Sequence, residues 1–359
     1  MKLLKIKLIG EVKTVMSNPD SKHNYFGWPT AARLQNGKIA VVASGFRLRH
    51  VCPFGKTVIS YSEDEGETFT YPAPVIDTPL DDRDGGILAY GEKNVIVTSF
   101  NNTAGFQREY AENDPYSHAY LNTIAKEDEA KYLGVTYRVS EDCGVTFGEI
   151  KKSPVSNPHG PLEMPNGELL WVGRPFDKTD GDYLKAYIQD KNGDFHYLGG
   201  IEDIYNKDGE KALSCEPHTI LLKDGSLLTH MRVQKAGYYT IFQSKSSDGG
   251  KTWTKPRQLL SDMGGVPPHL FRHSSGLLLC TYGYVEEPFG VGVMFSRDEG
   301  ETWETGHTLY TNPVSNDCGY PSTVELCDGS LLTVFYGTPN EGEQSIVMSQ
   351  KWRIENDEI

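Results

Sequence analysis

The stretch Ser246-Ser247-Asp248-Gly249-Gly250-Lys251-Thr252-Trp253 follows the pattern Ser-x-Asp-x-Gly-x-Thr-aromatic. The same pattern recurs three more times, at Ser62–Phe69, Ser140–Phe147 and Ser296–Trp303. In such a segment the aspartate can accept hydrogen bonds from backbone N–H groups, the glycine can adopt a positive φ, and the aromatic side chain can pack between neighbouring sheets. Four copies of a pattern fixed at five of its eight positions predict a repeated tight turn between two strands.

A second repeat, a β-hairpin around a glycine, accompanies the octapeptides. Its clearest copies are Leu34–Ile39, Leu222–Leu227 and Leu326–Leu331, and looser copies exist elsewhere. The turn glycines are Gly37, Gly91, Gly167, Gly225, Gly276 and Gly329. Six units spaced by roughly 50 residues predict an all-β fold, a six-bladed β-propeller with four-stranded blades. We expect residues 1–359 to form this single domain, with the N-terminal strand completing the last blade.

One interval between turn glycines is longer than the others, which predicts an insertion. Gly91 and Gly167 are 76 residues apart, and the extra length falls at about residues 101–131. Its latter part, His118–Tyr132, is predicted to be a short helix. The insertion leaves its blade after the second strand, so it is a candidate lid over one mouth of the propeller, the alternatives being a contact between subunits or a loop without a function.

Composition excludes several classes of protein. The 359-residue chain is 38% hydrophobic, with a net charge of −14 that argues against a nucleic-acid partner. No apolar run approaches the length of a membrane span, and residues 1–10 resemble a strand rather than a signal peptide. The six cysteines include no Cys-x-x-Cys pair. These features predict a cytoplasmic protein with reduced thiols, no membrane association, no metal and no cofactor.

The propeller fold determines which residues meet. In an antiparallel blade both hairpin turns lie on one face, so the start of the first strand, the end of the second strand and the loop after it lie on the other. Counting from the turn glycines, nine residues before them stand Trp28, Asp82, Glu216 and Tyr320, seven before stand Asp84, His218 and His269, and seven after stand Arg174 and Arg232. Blade 1 adds Arg47, Arg49 and His50 in its loop. This concentration of polar groups predicts a functional site, the alternative being a polar plug of the channel.

The octapeptide is the Asp box, or BNR repeat, and the chain resembles the sialidase (neuraminidase) superfamily of propellers. The segment 216–232, which opens with Glu216 and closes with Arg232, is similar to that family's segment in which a glutamate activates a tyrosine and an arginine binds the substrate carboxylate. Tyr320, in Gly-Tyr-Pro-Ser, resembles the family's nucleophilic tyrosine. A neutral phenol suits a sugar with a carboxylate at its anomeric carbon, because that carboxylate would repel a carboxylate nucleophile.

The chain also departs from the family pattern. Phe26–Pro29 lacks the family's first arginine, and no aspartate occurs between Gly37 and Glu63, where the resemblance would place the acid. The third arginine is missing from Tyr282–Gly290. Replacements are available: Asp84, Asp82 or His50 as acid, and Arg47, Arg49, Arg83 and Arg174 beside Arg232 as substrate ligands. His159, His218 and His269 are expected to line the pocket.

The sequence therefore predicts an exo-glycosidase of the sialidase type, with Tyr320 as nucleophile and Glu216 as its base, acting on a terminal acidic sugar such as a sialic acid or a related nonulosonic acid. Two alternatives stay open. One is a uronate-directed glycoside hydrolase or lyase on the same scaffold, and the other is a propeller that binds glycans without catalysis. The sequence specifies neither the linkage nor the oligomeric state.

Overall fold

Twenty-five strands and three helices make up the part of the chain that the computed structural model describes, residues 4–355 without 112, 177–182, 261–263, 265–266 and 312. The first elements are β1 (Lys5–Met16), β2 (Tyr25–Arg33), β3 (Ile39–Arg47), β4 (Lys56–Ser62), β5 (Ala73–Ile76), β6 (Arg83–Tyr90), β7 (Asn94–Asn101), α1 (Ala104–Tyr110), α2 (Pro115–Leu121), α3 (Lys126–Tyr132), β8 (Gly134–Ser140) and β9 (Lys151–Lys152).

The second half of the chain consists of strands. They are β10 (Val155–Ser156), β11 (Leu162–Glu163), β12 (Leu169–Pro175), β13 (Lys185–Gln189), β14 (Phe195–Gly200), β15 (Leu213–Leu221), β16 (Leu227–Lys235), β17 (Tyr238–Ser246), β18 (Arg257–Gln258), β19 (Pro268–Arg272), β20 (Leu278–Tyr284), β21 (Gly290–Ser296), β22 (Glu304–Thr311), β23 (Gly319–Glu325), β24 (Leu331–Gly337) and β25 (Ile346–Glu355).

These strands form six antiparallel sheets, which confirms the predicted propeller of four-stranded blades. Blades 1 and 2 are β2–β5 and β6–β9, and blades 4 and 5 are β15–β18 and β19–β22. In blade 3 the first strand is split, because β10 and β11 both pair with β12. Blade 6 has the order β1-β25-β24-β23, so the N-terminal strand completes the last blade as expected.

Hydrophobic side chains pack between each pair of adjacent blades and close the ring. One buried cluster lies at each of the six junctions, including the one between blades 6 and 1, where Trp28 and Val324 belong to the same cluster. The aromatic residues of the Asp boxes join these clusters: Phe69 packs between blades 6 and 1, and Trp253 between blades 3 and 4. The predicted role of these aromatic residues, packing between sheets, is confirmed.

The Asp boxes lie in the turns between the third and fourth strands of their blades. In the copy of blade 4, Asp248 accepts hydrogen bonds from the backbone N–H and the hydroxyl of Thr252 at 2.9 and 2.6 Å, and Gly250 has a φ of 95°. Asp64, Asp142 and Asp298 make the same contacts. The boxes stabilise turns on the face opposite the polar residues at the strand starts.

The insertion in blade 2 contains three helices, where the sequence predicted one over His118–Tyr132. Asp114 caps α2 by accepting N–H bonds from Tyr116 and Ser117, and Pro115 begins the helix. The predicted helix is interrupted after Leu121, and α1 was missed altogether. Asn101 holds both ends of the insertion: its side chain bonds the Tyr132 carbonyl at 3.1 Å and the Gly134 N–H at 2.9 Å. Whether the insertion acts as a lid stays a prediction.

None of the described helices is long and apolar enough to cross a membrane.

Candidate active site

Four blades begin their first strand with the same unusual backbone conformation. Trp28, Asp84, Glu216 and Tyr320 have φ values of 57°, 48°, 50° and 47°. Each lies in a break of strand register, two residues before regular pairing with the second strand resumes. Non-glycine residues rarely adopt this left-handed conformation, and such strain is concentrated at functional sites. The four equivalent bulges therefore identify one set of side chains.

The equivalent residue in blade 2 is Asp84, whereas counting from the turn glycine predicted Asp82. The hairpin of blade 2 is tighter, with Tyr90 paired to Asn94, so Gly91 lies two residues nearer the bulge. Asp82 is fully buried and accepts hydrogen bonds from Thr78 and Asn101. Burial raises the pKa of Asp82 to about 7. These contacts indicate that Asp82 supports the base of the helical insertion.

Tyr320 and Glu216 are in direct contact, as the sequence analysis predicted. The Tyr320 hydroxyl donates to Glu216 Oε1 at 2.7 Å. Burial, reinforced by the carboxylates of Glu216 and Asp84, raises the pKa of the Tyr320 phenol well above its usual value. The phenol therefore keeps its proton in the free protein and presents it to Glu216, the geometry needed for a tyrosine whose proton is removed during reaction.

Arg232 holds this pair in place. Its Nη1 donates to both oxygens of Glu216 at 3.1 and 3.0 Å and lies 3.5 Å from the Tyr320 oxygen. Its Nη2 donates to Gln234 at 2.6 Å and to the Tyr239 hydroxyl at 2.8 Å. A planar guanidinium with several fixed partners orients the carboxylate of Glu216. The Nε of Arg232 is buried and has no hydrogen-bond partner among the described residues.

Asp84 is the third group of the site. Its Oδ1 is buried and makes no hydrogen bond within the described structure. Burial raises the pKa of Asp84 to about 7, with Arg83 opposing the change and Glu216 adding to it. Buried carboxyl oxygens normally have a partner, so an unpartnered one beside a cavity is a candidate for contact with a ligand. A carboxyl with this pKa can carry a proton near neutral pH.

A cavity of about 420 Å³ opens beside Asp84 and Glu216, between blades 2, 3 and 4. Tyr320 and Arg232 contact Glu216 but are not among its lining residues. Its charged lining is Asp84, Glu216 and Arg174. The insertion contributes to it through Asn102, Thr103 and Phe106. Hydroxyl and amide groups form part of the wall, on Thr98, Ser99, Asn157 and Gln234. The aromatic rings of Phe100 and Phe176 form another part. A volume and lining of this kind suit a sugar ring, and confirm that polar groups at the strand starts converge at one mouth.

Arg47 does not reach this cavity, although the sequence analysis proposed it as a substrate ligand. The side chain is 0% exposed, and its Nη1 and Nη2 lie 2.6 and 2.9 Å from the two carboxylate oxygens of Asp81. The Ser44 hydroxyl and the carbonyls of Arg49, His50 and Asp82 also accept hydrogen bonds from it. Arg47 therefore stabilises the loop of blade 1. The prediction that Arg47 binds substrate was wrong because its guanidinium pairs with the buried carboxylate of Asp81, 34 residues away.

We expect Arg47→Met to lower the free energy of unfolding by about 3–5 kcal/mol, because it leaves Asp81 buried without its partner. Urea unfolding followed by circular dichroism measures this. Arg49→Met is the matched control: Arg49 is 36% exposed and pairs with Asp114, so a change below about 1 kcal/mol is expected. Adding Asp81→Asn to Arg47→Met should recover part of the loss. A stable Arg47→Met variant would contradict the assignment.

Arg49 and Arg83 also have structural partners. Arg49 binds Asp114 at 2.9 Å and Ser117 at 3.2 Å, so it ties α2 of the insertion to blade 1. Arg83 lies 4.3 Å from the centre of the Trp28 ring, and its Nη1 donates to the His50 carbonyl at 3.1 Å. Neither arginine lines the cavity. Of the five proposed arginine ligands, the structure places Arg174 in the cavity wall and Arg232 against the Tyr320–Glu216 pair.

His50 belongs to a cluster that sequence reasoning missed. Asp317 accepts hydrogen bonds from the hydroxyls of Tyr25 and Tyr336 at 2.7 and 2.8 Å, and His50 Nδ1 lies 3.0 Å from it. His50 Nε2 is 3.2 Å from Arg83 Nη2, which can only donate, so His50 carries its proton on Nδ1. Nε2 then has no proton to give, and the geometry favours Asp84 over His50 as the acid. The sequence contained one clue to this cluster, since Tyr25 and Asp317 stand at equivalent positions in their blades, each three residues before a bulge residue.

The three histidines were expected to line the pocket, but they pack against one another. The rings of His218 and His269 stack at 4.5 Å, and His159 lies 5.0 and 5.1 Å from them. None lines the cavity. Burial lowers the pKa of His218 to about 3 and the pKa values of His159 and His269 well below their usual range, so all three are neutral. This cluster corresponds to the structural plug that was the alternative reading.

Fold and site together define an Asp-box β-propeller with a tyrosine–glutamate–arginine centre at one mouth, a sialidase-like architecture. The BNR repeat-like domain model matches residues 118–333, and the chain belongs to that family, which confirms the resemblance seen in the sequence. No metal-binding group of three or more His, Cys, Asp or Glu side chains occurs among the described residues.

Solved structures share the fold at low sequence identity. A protein of unknown function from Dyadobacter fermentans is 20% identical, with a TM-score of 0.77, over 98% of this chain and 99% of that one. The Ruminococcus gnavus intramolecular trans-sialidase in complex with oseltamivir carboxylate is 15% identical, with a TM-score of 0.62, over 94% and 96%. Trypanosoma rangeli sialidase is 14% identical, with a TM-score of 0.65, over 96% and 59%. A comparison with curated proteins gave no significant match.

Proposed function

We propose that the protein is an exo-glycosidase of the sialidase type that hydrolyses a terminal acidic sugar with Tyr320 as nucleophile. The observation that carries the proposal is the 2.7 Å hydrogen bond from Tyr320 to Glu216 beside the unpartnered Asp84 oxygen. A nucleophile in contact with a base, next to a separate carboxyl that retains a proton near neutral pH, is the arrangement that a retaining glycosidase needs.

In the first step the Tyr320 oxygen attacks the anomeric carbon while Glu216 takes the phenolic proton. The bond from the anomeric carbon to the leaving oxygen breaks, and Asp84 gives its proton to that oxygen. In the second step Asp84, now a carboxylate, removes a proton from water, which attacks the anomeric carbon. The tyrosyl oxygen departs and recovers its proton from Glu216. Two displacements at one carbon retain its configuration.

The sugar's carboxylate would be bound by Arg174 and Arg232. Arg174 lines the cavity, and Arg232 lies 3.5 Å from the nucleophilic oxygen, so its charge is within reach of a carboxylate on the anomeric carbon. The Arg232 Nε provides a buried donor without a partner among the described residues. The Ruminococcus gnavus relative was crystallised with oseltamivir carboxylate, a ligand that carries the same group.

The test is release of 4-methylumbelliferone from its α-sialic acid glycoside by the full-length protein, with proton NMR of the first sugar product. Turnover with retained configuration supports the proposal, and turnover with inversion contradicts the covalent step. Absence of turnover over a panel of sialosides and related nonulosonic acid glycosides rejects the assignment to a sialic acid or a related nonulosonic acid.

One observation favours a second candidate, a uronate-directed hydrolase or lyase. The stretch Phe26–Pro29 lacks the arginine that the family carries there, and Arg47 is paired with Asp81, so the cavity has fewer cations than the family pattern implies. A lyase would release an unsaturated sugar that absorbs in the near ultraviolet. Incubation with uronic acid oligosaccharides, monitored by absorbance and by reducing ends, separates lyase from hydrolase.

A further inference from the structure

A second concavity of about 810 Å³ lies at the outer edge of blades 3 and 4. It shares none of its lining residues with the cavity beside Tyr320. Its volume lies within the range of small-molecule sites, roughly 300–1,000 Å³. Its walls come from β14 and the segment that follows it, from β17, and from the residues just before β13 and β18.

Aromatic rings dominate this surface, which we name the aromatic groove and define by Tyr183, Tyr197, Tyr205, Tyr238 and Phe242. Tyr197 is 53% exposed and Tyr205 is 56% exposed, whereas most large apolar groups of the protein are buried. Exposed rings grouped in a concavity are typical of binding sites rather than of ordinary surface.

The rings are held in place before any ligand binds. Tyr238 packs edge-on against Phe242 at 5.3 Å, and Tyr187 packs against Tyr197 at 5.4 Å. A Cβ at Gly200 would lie 2.5 Å from the Tyr183 ring, so glycine at this position makes room for that ring. Rings that are already ordered lose little conformational entropy on binding, which favours affinity.

Tyr205 is positioned by a short hairpin. Its backbone bridges to Lys211, and the Asn206 N–H donates to the Glu210 carbonyl at 3.0 Å. The Asn206 side chain donates to the Ala236 carbonyl at 3.2 Å, which ties the hairpin to blade 4. The exposed ring therefore stands on an anchored segment rather than on a free loop.

The polar groups of the groove indicate the chemistry of its ligand. Glu202, Asp203 and Lys255 line it, and Asp203 is paired with Lys211 at 2.7 Å. The charges of these four side chains cancel, so the groove does not favour an ion of either sign. The carboxylates and tyrosine hydroxyls can bond sugar hydroxyls, and the electron-rich ring faces can accept the C–H face of a pyranose.

We propose that the aromatic groove is a binding site for neutral sugars, in which one or more pyranose rings stack on Tyr197 and Tyr205 while the acidic side chains accept hydrogen bonds from sugar hydroxyls. The inference does not depend on the function of the central cavity, because the two sites share no residue. Such a site would keep a glycan on the protein independently of any reaction at Tyr320.

The test is isothermal titration of the full-length protein with lactose, maltotriose and triacetylchitotriose. We expect at least one of them to bind with a Kd near the millimolar range and to lose about tenfold in affinity in Tyr205→Ala and in Tyr197→Ala. Tyr205→Phe, which keeps the ring, should retain most of the affinity. Tyr71→Ala is the matched control, since Tyr71 is 65% exposed but belongs to blade 1.

Three outcomes would overturn the proposal. The first is absence of binding by all three sugars at concentrations well above the millimolar range. The second is binding that Glu216→Gln abolishes while the double Tyr197/Tyr205 alanine variant retains it, because the sugar then occupies the central cavity. The third is a dimer in sedimentation that the double variant dissociates, because a second copy of the chain then covers the groove. Loss of sialoside hydrolysis alone leaves the proposal intact.

Discussion

Tyr320→Phe is expected to reduce sialoside turnover by at least about a thousandfold, because it removes the oxygen that forms the covalent intermediate and nothing else. Phenylalanine keeps the ring that packs against Trp28 at 6.4 Å and Tyr336 at 5.9 Å. The aromatic residue also preserves the strained bulge at φ 47° as well as tyrosine does. Initial rates with the methylumbelliferyl glycoside measure the effect.

The control for this substitution is Tyr61→Phe. Tyr61 also donates its hydroxyl, to the Gly144 carbonyl, but in the layer of the Asp boxes on the opposite face. We expect it to lose about 1 kcal/mol of stability and to keep full activity. If Tyr320→Phe retains turnover while Glu216→Gln and Asp84→Asn lose it, the nucleophile is another group or a water molecule. If none of the three substitutions lowers turnover, the cavity is not the site of reaction.

Asp84→Asn is expected to reduce kcat/KM by about 10²–10⁴-fold on glycosides with a poor leaving group, because the leaving oxygen then departs without a proton. The loss should be much smaller for methylumbelliferone, which leaves readily as an anion. Asparagine tolerates the left-handed φ of 48° at this position better than most residues, so the backbone is preserved. Rates on 3′-sialyllactose and on the methylumbelliferyl glycoside make the comparison.

The pH dependence follows from the pKa of Asp84, about 7. Asp84 is protonated and can act as an acid below that pH, so kcat/KM of the parent protein should fall above pH 7. Asp84→Asn should abolish this fall.

The stability of the fold should also depend on pH through Asp84, because its pKa is raised from about 4 in the unfolded chain. The contribution of Asp84 to the free energy of unfolding is therefore fully favourable below pH 4 and is lost as the pH rises through 7. Asp84→Asn should therefore raise the free energy of unfolding at pH 8.

We expect that gain to be about 2 kcal/mol, roughly half of what a three-unit shift would give, because Asp84 is partly exposed and solvent screens its charge. Asp77→Asn is the control, since Asp77 is 48% exposed and forms a surface pair with Lys56. An unchanged upper pH limb together with an unchanged ratio of rates between the two substrates would exclude Asp84 as the acid and direct attention to His50.

Much of the site followed from the repeats. Glu216 and Tyr320 precede their turn glycines by the same number of residues, and the same strand geometry in each blade brings them to the same mouth. Asp84 and Asp82 could not be separated in this way, because a hairpin two residues shorter in blade 2 moved the reference glycine relative to the bulge. The proline that follows Trp28, Glu216 and Tyr320 gave no help in blade 2, because neither Asp82 nor Asp84 is followed by proline.

The sequence by itself determined the propeller, the number of its blades and the face on which polar groups gather. These depend on turns and strand periodicity, interactions between residues a few positions apart that recur in every blade. Only the tertiary structure decided which polar side chains have partners within the protein: Arg47 pairs with Asp81, Arg49 with Asp114, and His50 with Asp317. Asp317 and Tyr25, in contact across the closing blades, are 292 residues apart. Whether a charged group is satisfied depends on such distant neighbours and on burial, which no local pattern encodes.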